Sequence, residues 1–242
     1  MAEHPGGQGL FVVIEAADGS GKTAITDHLV PALAATGRTV HRIDRDRPEG
    51  EGPHAQLVRA VNTLFRSDAA TDAGWELLSL AAAVQYRSIL HTQVAPAVAA
   101  GTVVIAESWW DKTWIRLGLE AAHHHDRTAQ QQDAFAAWQR SLLPPGLLPE
   151  RQHLTVLVDT TRGDRTTWYR AAGCPDPYLD RAGALSHDPD GYGRFTEHIA
   201  VRLRTLATEQ HWPTVANHAS RPAATAAAEL HRLITDRLDQ AA

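Results

Sequence analysis

Apolar residues along the chain fall into two patterns that take turns. Short unbroken runs read as strands buried on both faces, and positions repeating every three or four residues read as amphipathic helices. Gly9 to Glu15 (GLFVVIE) is the first run, and it stops at a glycine-rich turn. Ile25, Leu29 and Leu33 then recur at helical spacing and predict a helix over Thr23 to Ala35. Thr39 to Ile43, Thr102 to Ala106 (TVVIA), His153 to Val158 (HLTVLV) and Thr214 to Ala216 are the remaining candidate strands. Ala55 to Phe65, Trp75 to Ala100, Ala121 to Gln139, Thr196 to Gln210 and Ala223 to Gln240 read as helices, and Arg162 to Ala172 as a helix or mobile flap. Arg45 to Pro53 and Cys174 to Tyr192, rich in Gly, Pro and charge, read as loop and irregular chain. Strands alternating with helices predict an α/β fold, a doubly wound parallel five-stranded sheet with helices on both faces. Residues 1–242 are expected to form a single domain, with a flexible N-terminus over 1–8 and a lid with its adjoining loop over about 160–192.

Composition narrows the partners. The 242 residues are 43% hydrophobic and 21% charged, with a formal net charge of -5. No basic stripe is visible, which argues against nucleic acid as a partner, although a small phosphate ester needs only a few Arg and Lys. Cys174 is the one cysteine, so no intrachain disulfide forms, in keeping with a reducing cytoplasm. Met1 to Gly9 lacks the apolar core of a secretory signal, and no apolar run approaches the roughly 20 residues that span a bilayer. The expected setting is cytoplasmic, with no membrane partner.

The candidate chemistry starts where the first run ends. Ala16-Ala17-Asp18-Gly19-Ser20-Gly21-Lys22-Thr23 matches the phosphate-loop pattern G-x-x-x-x-G-K-[ST], with Ala16 in the place of the first glycine. A strand precedes it and a helix follows, as that pattern requires. Gly19 and Gly21 let backbone N–H groups turn toward phosphate oxygens at the positive end of the helix. Lys22 is expected to reach the β- and γ-phosphates, and the Thr23 hydroxyl to coordinate Mg²⁺. Residues Ala17 to Ala24 are thus the candidate ATP site, and a methyl at Ala16 fits if its φ stays negative.

From these residues outward the sequence resembles the thymidylate kinase family, P-loop kinases of nucleoside monophosphates. Phe11 to Thr23 is similar to that family's first strand and phosphate loop, including an acidic residue at Asp18 that the family uses near the acceptor's sugar. Arg47-Pro48-Glu49-Gly50-Glu51-Gly52, followed by Arg59, is similar to its Arg-Glu-Pro-Gly-Gly-Thr loop and implies an acceptor contact at Arg47. Leu77-Leu78, Ala81-Ala82-Ala83 and Gln85-Tyr86-Arg87 resemble its acceptor-site helix, whose arginine falls on Val84, Tyr86 or Arg87 according to the register; Arg87 is the candidate. Val103 to Trp109 stands where the family has a strand ending in Asp-Arg-Tyr. Glu107 then keeps the carboxylate as a catalytic and Mg²⁺-holding candidate, Ser108 replaces the arginine, and Trp109 is a candidate for stacking on an acceptor base. Leu154 to Asp159 and the spacing into Arg170-Ala171-Ala172-Gly173 resemble its lid, which implies Arg165 and Arg170 as catalytic cations, while Ala172 replaces a further arginine. Val215 to Ala219 resembles the last strand and the loop beside adenine, with Asn217 the candidate there.

The resemblance implies ATP and Mg²⁺, a small nucleotide or nucleoside acceptor, a role in nucleotide biosynthesis, and a possible homodimer. The reaction it implies is dTMP + ATP to dTDP + ADP. Two alternatives stay open: a kinase of a nucleoside or another unphosphorylated metabolite, and a nucleotide-binding protein without catalysis. The cluster His123-His124-His125-Asp126 reads as an exposed polar turn, since consecutive histidines do not share a helix face, and Cys174 reads as an inert thiol.

Overall fold

The computed structural model describes residues 8–45, 47–48, 50–67, 73–124, 127–143, 148–173 and 189–240. Glu49, His125, Asp126, Cys174 and residues 1–7 and 174–188, which carry several of the readings above, lie outside the described residues. The five expected strands are present, each within about two residues of its predicted bounds: β1 (Leu10–Glu15), β2 (Val40–Ile43), β3 (Val103–Glu107), β4 (His153–Asp159) and β5 (Thr214–Ala216). They form one sheet in the order β2-β3-β1-β4-β5, every pair parallel. The register sets Leu10 beside Val103, Phe11 beside His153 and Leu157 beside Thr214.

Parallel neighbours require crossovers, and helices supply them. These are α1 (Lys22–Ala34), α2 (Pro53–Arg66), α3 (Trp75–Ile89), α4 (Ala95–Ala99), α5 (Trp110–His124), α6 (Ala129–Leu142), α7 (Arg162–Ala171), α8 (Pro189–Glu209) and α9 (Ala223–Gln240). Alternate strand residues point to opposite faces. Leu10, Val12, Ile14, Val103, Ile105 and Val158 therefore pack on Ile25, Leu29 and Leu33 of α1 and Leu230 and Ile234 of α9. Phe11, Val13, Val104, Ala106 and Leu157 pack on the other side against α3, α5 and α8. Both faces of β1 are buried, which is why its sequence is an unbroken apolar run.

Three boundaries differ from the sequence expectation, and one open alternative is decided. The helix expected from Trp75 to Ala100 is interrupted by a π-helical turn, Leu90–Val94, just before Pro96. A proline ring crowds the carbonyl four residues back, and widening the preceding turn relieves that contact. The polar stretch expected as one helix over Ala121 to Gln139 is the end of α5 and most of α6. The break is fixed by Thr128, whose hydroxyl accepts from Gln131 N while the Gln131 side chain accepts from Thr128 N. Arg162 to Ala172 is helical, capped by the Thr161 side chain accepting from Asp164 N. Finally, α8 begins at Pro189, seven residues ahead of the expected Thr196. Among the described residues no helix is long and apolar enough to cross a membrane.

Candidate active site

The C-terminal ends of β1, β3 and β4 converge on the loop from Ala16 to Gly21. Gly19 and Gly21 take φ of 73° and 76°, a region in which a side chain is strained. At Gly21 a Cβ would lie 2.7 Å from Asn217 Nδ2, and at Gly19 it would overlap the Tyr192 hydroxyl. Ala16 is fully buried, and among the described residues other than glycine only Ser108 and His211 have positive φ. Its methyl therefore replaces the first glycine of the pattern without backbone strain. Ser20 is pinned through its carbonyl, which accepts from Asn217 Nδ2 at 2.9 Å. Ala17 and Ser20 are buried and offer the loop's backbone, while Thr23 and Ala24 are exposed at the start of α1.

Lys22 lies across the loop's mouth, its Nζ donating to the carbonyls of Ala16 and Ala17 at 3.3 and 3.1 Å. Burial, with Lys112 close by, lowers its pKa from 10.5 to about 8. The Thr23 hydroxyl donates to Glu107 Oε2 at 2.8 Å, so the two expected Mg²⁺ residues meet. Arg42 of β2 pairs with the other Glu107 oxygen and reaches Asp27 Oδ1 at 2.8 Å. Among the described residues no group of three or more His, Cys, Asp or Glu is gathered. A hydroxyl and a single carboxylate nevertheless fit Mg²⁺, which keeps most of its waters and completes its shell with substrate phosphates.

Beside Gly21 a cavity of about 560 Å³ opens between α7 and the chain after β5, lined by Ala24, Trp168, Tyr169, Asn217 and Arg221. Its place at the start of α1 suits the base and sugar of a nucleotide whose phosphates lie on the loop. Asn217 lines this cavity, yet its amide is spent on the Ser20 carbonyl, so it shapes the loop. Tyr192 of α8 stacks on Tyr169 of α7, with ring centroids 3.8 Å apart and planes 7° apart, and closes the cavity over Gly19.

Asp18 also lines this cavity, and at its carboxylate the loop is acidic and cationic at once. Asp18 pairs with Lys112, and its second oxygen is 3.8 Å from Arg116 Nη1. Burial alone would raise the Asp18 carboxyl, but Lys112, Arg116 and Lys22 together hold it well below the usual carboxylate range. Glu15, at the end of β1, accepts from Trp109 N at 2.8 Å. Burial, and then the neighbouring Asp111, push its pKa up to about 7.

Several expected site residues lie elsewhere. Trp109 is 7% exposed, and its ring meets Phe11 and Tyr86 edge-on at 5.1 and 4.6 Å, so it builds the floor and has no face for a base. Arg87 is exposed, in line with exposed Leu80 and Val84 of α3 and away from buried Tyr86. Arg47 is also exposed, and Arg45 takes the inward place, its guanidinium donating to the Tyr86 hydroxyl. Arg165 is fully buried, donating to the Thr160 carbonyl and pairing with Glu197 of α8. Its guanidinium fastens α7 to α8, and the partners described for it, Thr160, Thr196 and Glu197, are not on the phosphate loop. Arg170 is 58% exposed, 3.6 Å from Asp190. Sequence reasoning missed Arg45, Lys112, Arg116 and Tyr192.

No protein-family model matches the chain. Among curated proteins it is similar to the thymidylate kinase of Verminephrobacter eiseniae, 30% identical over 186 residues, which covers 76% of this chain and 70% of the relative. It is 38% identical over 109 residues to that of Cereibacter sphaeroides, covering 45% and 47% of the two chains. It is 34% identical over 151 residues to that of Solidesulfovibrio magneticus, covering 62% and 64%.

Proposed function

Because the chain belongs to the thymidylate kinase family, we propose that it transfers the γ-phosphoryl group of ATP to a nucleoside monophosphate, with dTMP the preferred acceptor. The observation that carries this reading is the phosphate loop: Gly19 and Gly21 in left-handed conformation, Lys22 across the mouth, and Thr23 2.8 Å from Glu107. ATP binds with its base and sugar in the cavity between α7 and the chain after β5, and its phosphates on the loop. There Lys22 exchanges the carbonyls of Ala16 and Ala17 for phosphate oxygens.

Thr23 and Glu107 are the residues that hold Mg²⁺, which when bound neutralises charge on the β- and γ-phosphates. The acceptor lies near Asp18, so that its oxygen is aligned with the γ-phosphorus. Tyr192 and Tyr169 exclude water from the loop. Arg170 is the lid cation in this reading, since its exposed contact with Asp190 is exchanged at little cost when the lid closes.

A nucleoside acceptor is the second reading. Ser108 and Ala172, neutral where the family carries arginines, and the outward Arg87 favour it. An ADP-release assay over dTMP, dUMP, UMP and thymidine decides. Turnover with dTMP supports the first reading, turnover restricted to thymidine replaces it by the second, and MgATP binding without turnover on any acceptor overturns both.

A further inference from the structure

Trp168 is a large aromatic side chain with no place in the core. It stands half-buried on α7 and belongs to none of the three apolar clusters formed by the described residues. Other tryptophans are occupied. Trp109 and Trp110 meet Tyr86 edge-on, Trp138 stacks on Phe135, and Trp114 carries the Arg140 guanidinium at 5.6 Å. Among the described residues no ring or cation lies on Trp168. Its ring lines the cavity beside Gly21 instead. A Cβ on Gly21 would come within 3.7 Å of Trp168 Cζ3, so the six-membered end of the indole stands beside the start of α1. An indole carries a broad, flat apolar surface, and leaving it half open to water forgoes the free energy of burying it.

The surroundings keep that surface clear. Ala172 follows one turn later, its N–H donating to the Trp168 carbonyl at 3.0 Å, and it lines the same cavity. Helical side chains lean toward the N-terminus, so a long residue at 172 would lie over Trp168, and a methyl does not. Gly21, Ala24, Ala219 and Ala223 add only small side chains to the wall. On the far side Arg221 is held by the Ala216 carbonyl at 2.6 Å and by Glu229 at 2.7 Å. A flat ring fits such a slot. The donors along its edge are spent on the chain itself: the Asn217 amide on the Ser20 carbonyl at 2.9 Å, and the Ala219 N–H on Asp164 Oδ1 at 3.2 Å. A pocket that grips by shape separates similar rings weakly, whereas one built on hydrogen bonds rejects a mismatch by orders of magnitude.

We infer that Trp168 is the stacking platform for the base of the phosphoryl donor, an assignment that rests on the reading of the chain as a kinase with its donor in this cavity. The base is held by its face and is not read at its edge, so adenine and guanine are accepted alike. With the ring on Trp168, the phosphates run past Gly21 onto the loop, and MgGTP serves as donor about as well as MgATP.

The test is titration calorimetry of the full chain with MgADP, MgGDP and magnesium tripolyphosphate, the last offering phosphates without a base. The proteins are the wild type, Trp168→Ala, Trp168→Leu and Trp168→Phe. Wild-type affinities for MgADP and MgGDP are expected within about tenfold of each other. Trp168→Ala weakens both by about tenfold or more and leaves tripolyphosphate within about twofold of wild type. Trp168→Phe recovers most of the loss, and Trp168→Leu, apolar but not flat, recovers little. Unchanged nucleotide affinity in Trp168→Ala, a leucine as good as phenylalanine, or a loss that tripolyphosphate shares overturns the assignment. A wild-type preference for one purine of more than about tenfold shows a base read at its edge and overturns it as well. A wild-type chain that binds neither nucleotide nor tripolyphosphate overturns the phosphate-loop reading itself, and the assignment with it.

Discussion

Arg165 separates a structural from a catalytic cation most sharply, and Arg165→Ala tests it. The guanidinium is fully buried, paired with Glu197, bonded to the Thr160 carbonyl and 3.4 Å from Thr196 Oγ1. Truncation leaves the carbonyl of buried Thr160 without this donor and strips Glu197 of one of its two arginines; the other, Arg204, stays at 2.8 Å. Breaking a buried pair costs about 3–5 kcal/mol, but Glu197 is 27% exposed and keeps Arg204, so about 2 kcal/mol is the better figure here. Removing the buried aliphatic stem adds roughly 1–2 kcal/mol. A total of about 3–4 kcal/mol lowers the melting temperature of a chain this size by roughly 10 °C. Differential scanning calorimetry reads that shift. Turnover per nucleotide-binding site, measured well below the transition, stays within about threefold of wild type. A catalytic lid arginine behaves in the opposite way, with little change in melting and a loss of roughly 10³ or more in kcat. That second pattern would refute the structural role. If Arg165→Ala is too unstable to assay, Arg165→Met with Glu197→Gln removes both charges and permits the same comparison.

Three other outcomes follow from the site. Glu107→Gln keeps a hydrogen-bond partner for Thr23 and removes a charge, so the Mg²⁺ concentration for half-maximal activity rises by about 10-fold or more; an unchanged Mg²⁺ titration refutes the assignment. Lys22, lowered to about 8 by burial and by Lys112, is partly neutral in the free chain near that pH, and phosphate restores its charge. MgATP binding at about pH 8 therefore takes up roughly half a proton. Calorimetry in buffers of different ionisation enthalpy measures it, and the uptake disappears in Lys22→Met. Glu15, raised from 4.5 to about 7 by burial and Asp111, keeps in the folded chain a proton that the unfolded chain has lost. Its contribution is thus full below about pH 4.5, declines as pH rises to about 7 and is flat above, so stability falls by about 2 kcal/mol between roughly pH 5.5 and 8. Urea melts of Glu15→Gln are expected to lack that part of the slope, and an unaltered slope refutes it.

The fold was legible because burial on both faces leaves a mark in composition. In β1 and β3 all but the last position is apolar, and the apolar positions of α1 and α9 repeat with the helical period. The phosphate loop was legible because only certain residues tolerate its backbone: Gly19 and Gly21 do take left-handed φ, and Ala16 does not need to. The acceptor side was read poorly for a physical reason. Direction, and not residue type, decides whether Arg45 or Arg47 faces inward, and a loop rich in Gly, Pro and charge has no period to reveal it. Arg165 and Glu197 lie 32 positions apart, so no local spacing announced their pair. Trp109 was the candidate for stacking on an acceptor base, whereas it is buried together with its neighbours Trp110 and Trp114. With the helix placed only from Ala121, the spacing of Lys112, Arg116 and Glu120 went unread. A helix starting at Trp110 puts all three on one face, which was the available signal.

The contacts of the site divide by whether a ligand is able to replace them. Lys22 rests on two carbonyls, Lys112 on Asp18, Thr23 on Glu107 and Arg170 on Asp190. In the proposed reading phosphate oxygens take over Lys22 and Arg170, and Mg²⁺ takes over Thr23 and Glu107 together. Charges half withdrawn from water, as at Lys22 and Asp18, are costly without partners, and these contacts supply them. Arg165 with Glu197 and Thr160 has no such exchange open to it: its partners close around it and none lies on the phosphate loop. In the proposed reading, chemistry resides in the pairs that a ligand or ion takes over. The pair between Arg165 and Glu197 fastens α7 to α8.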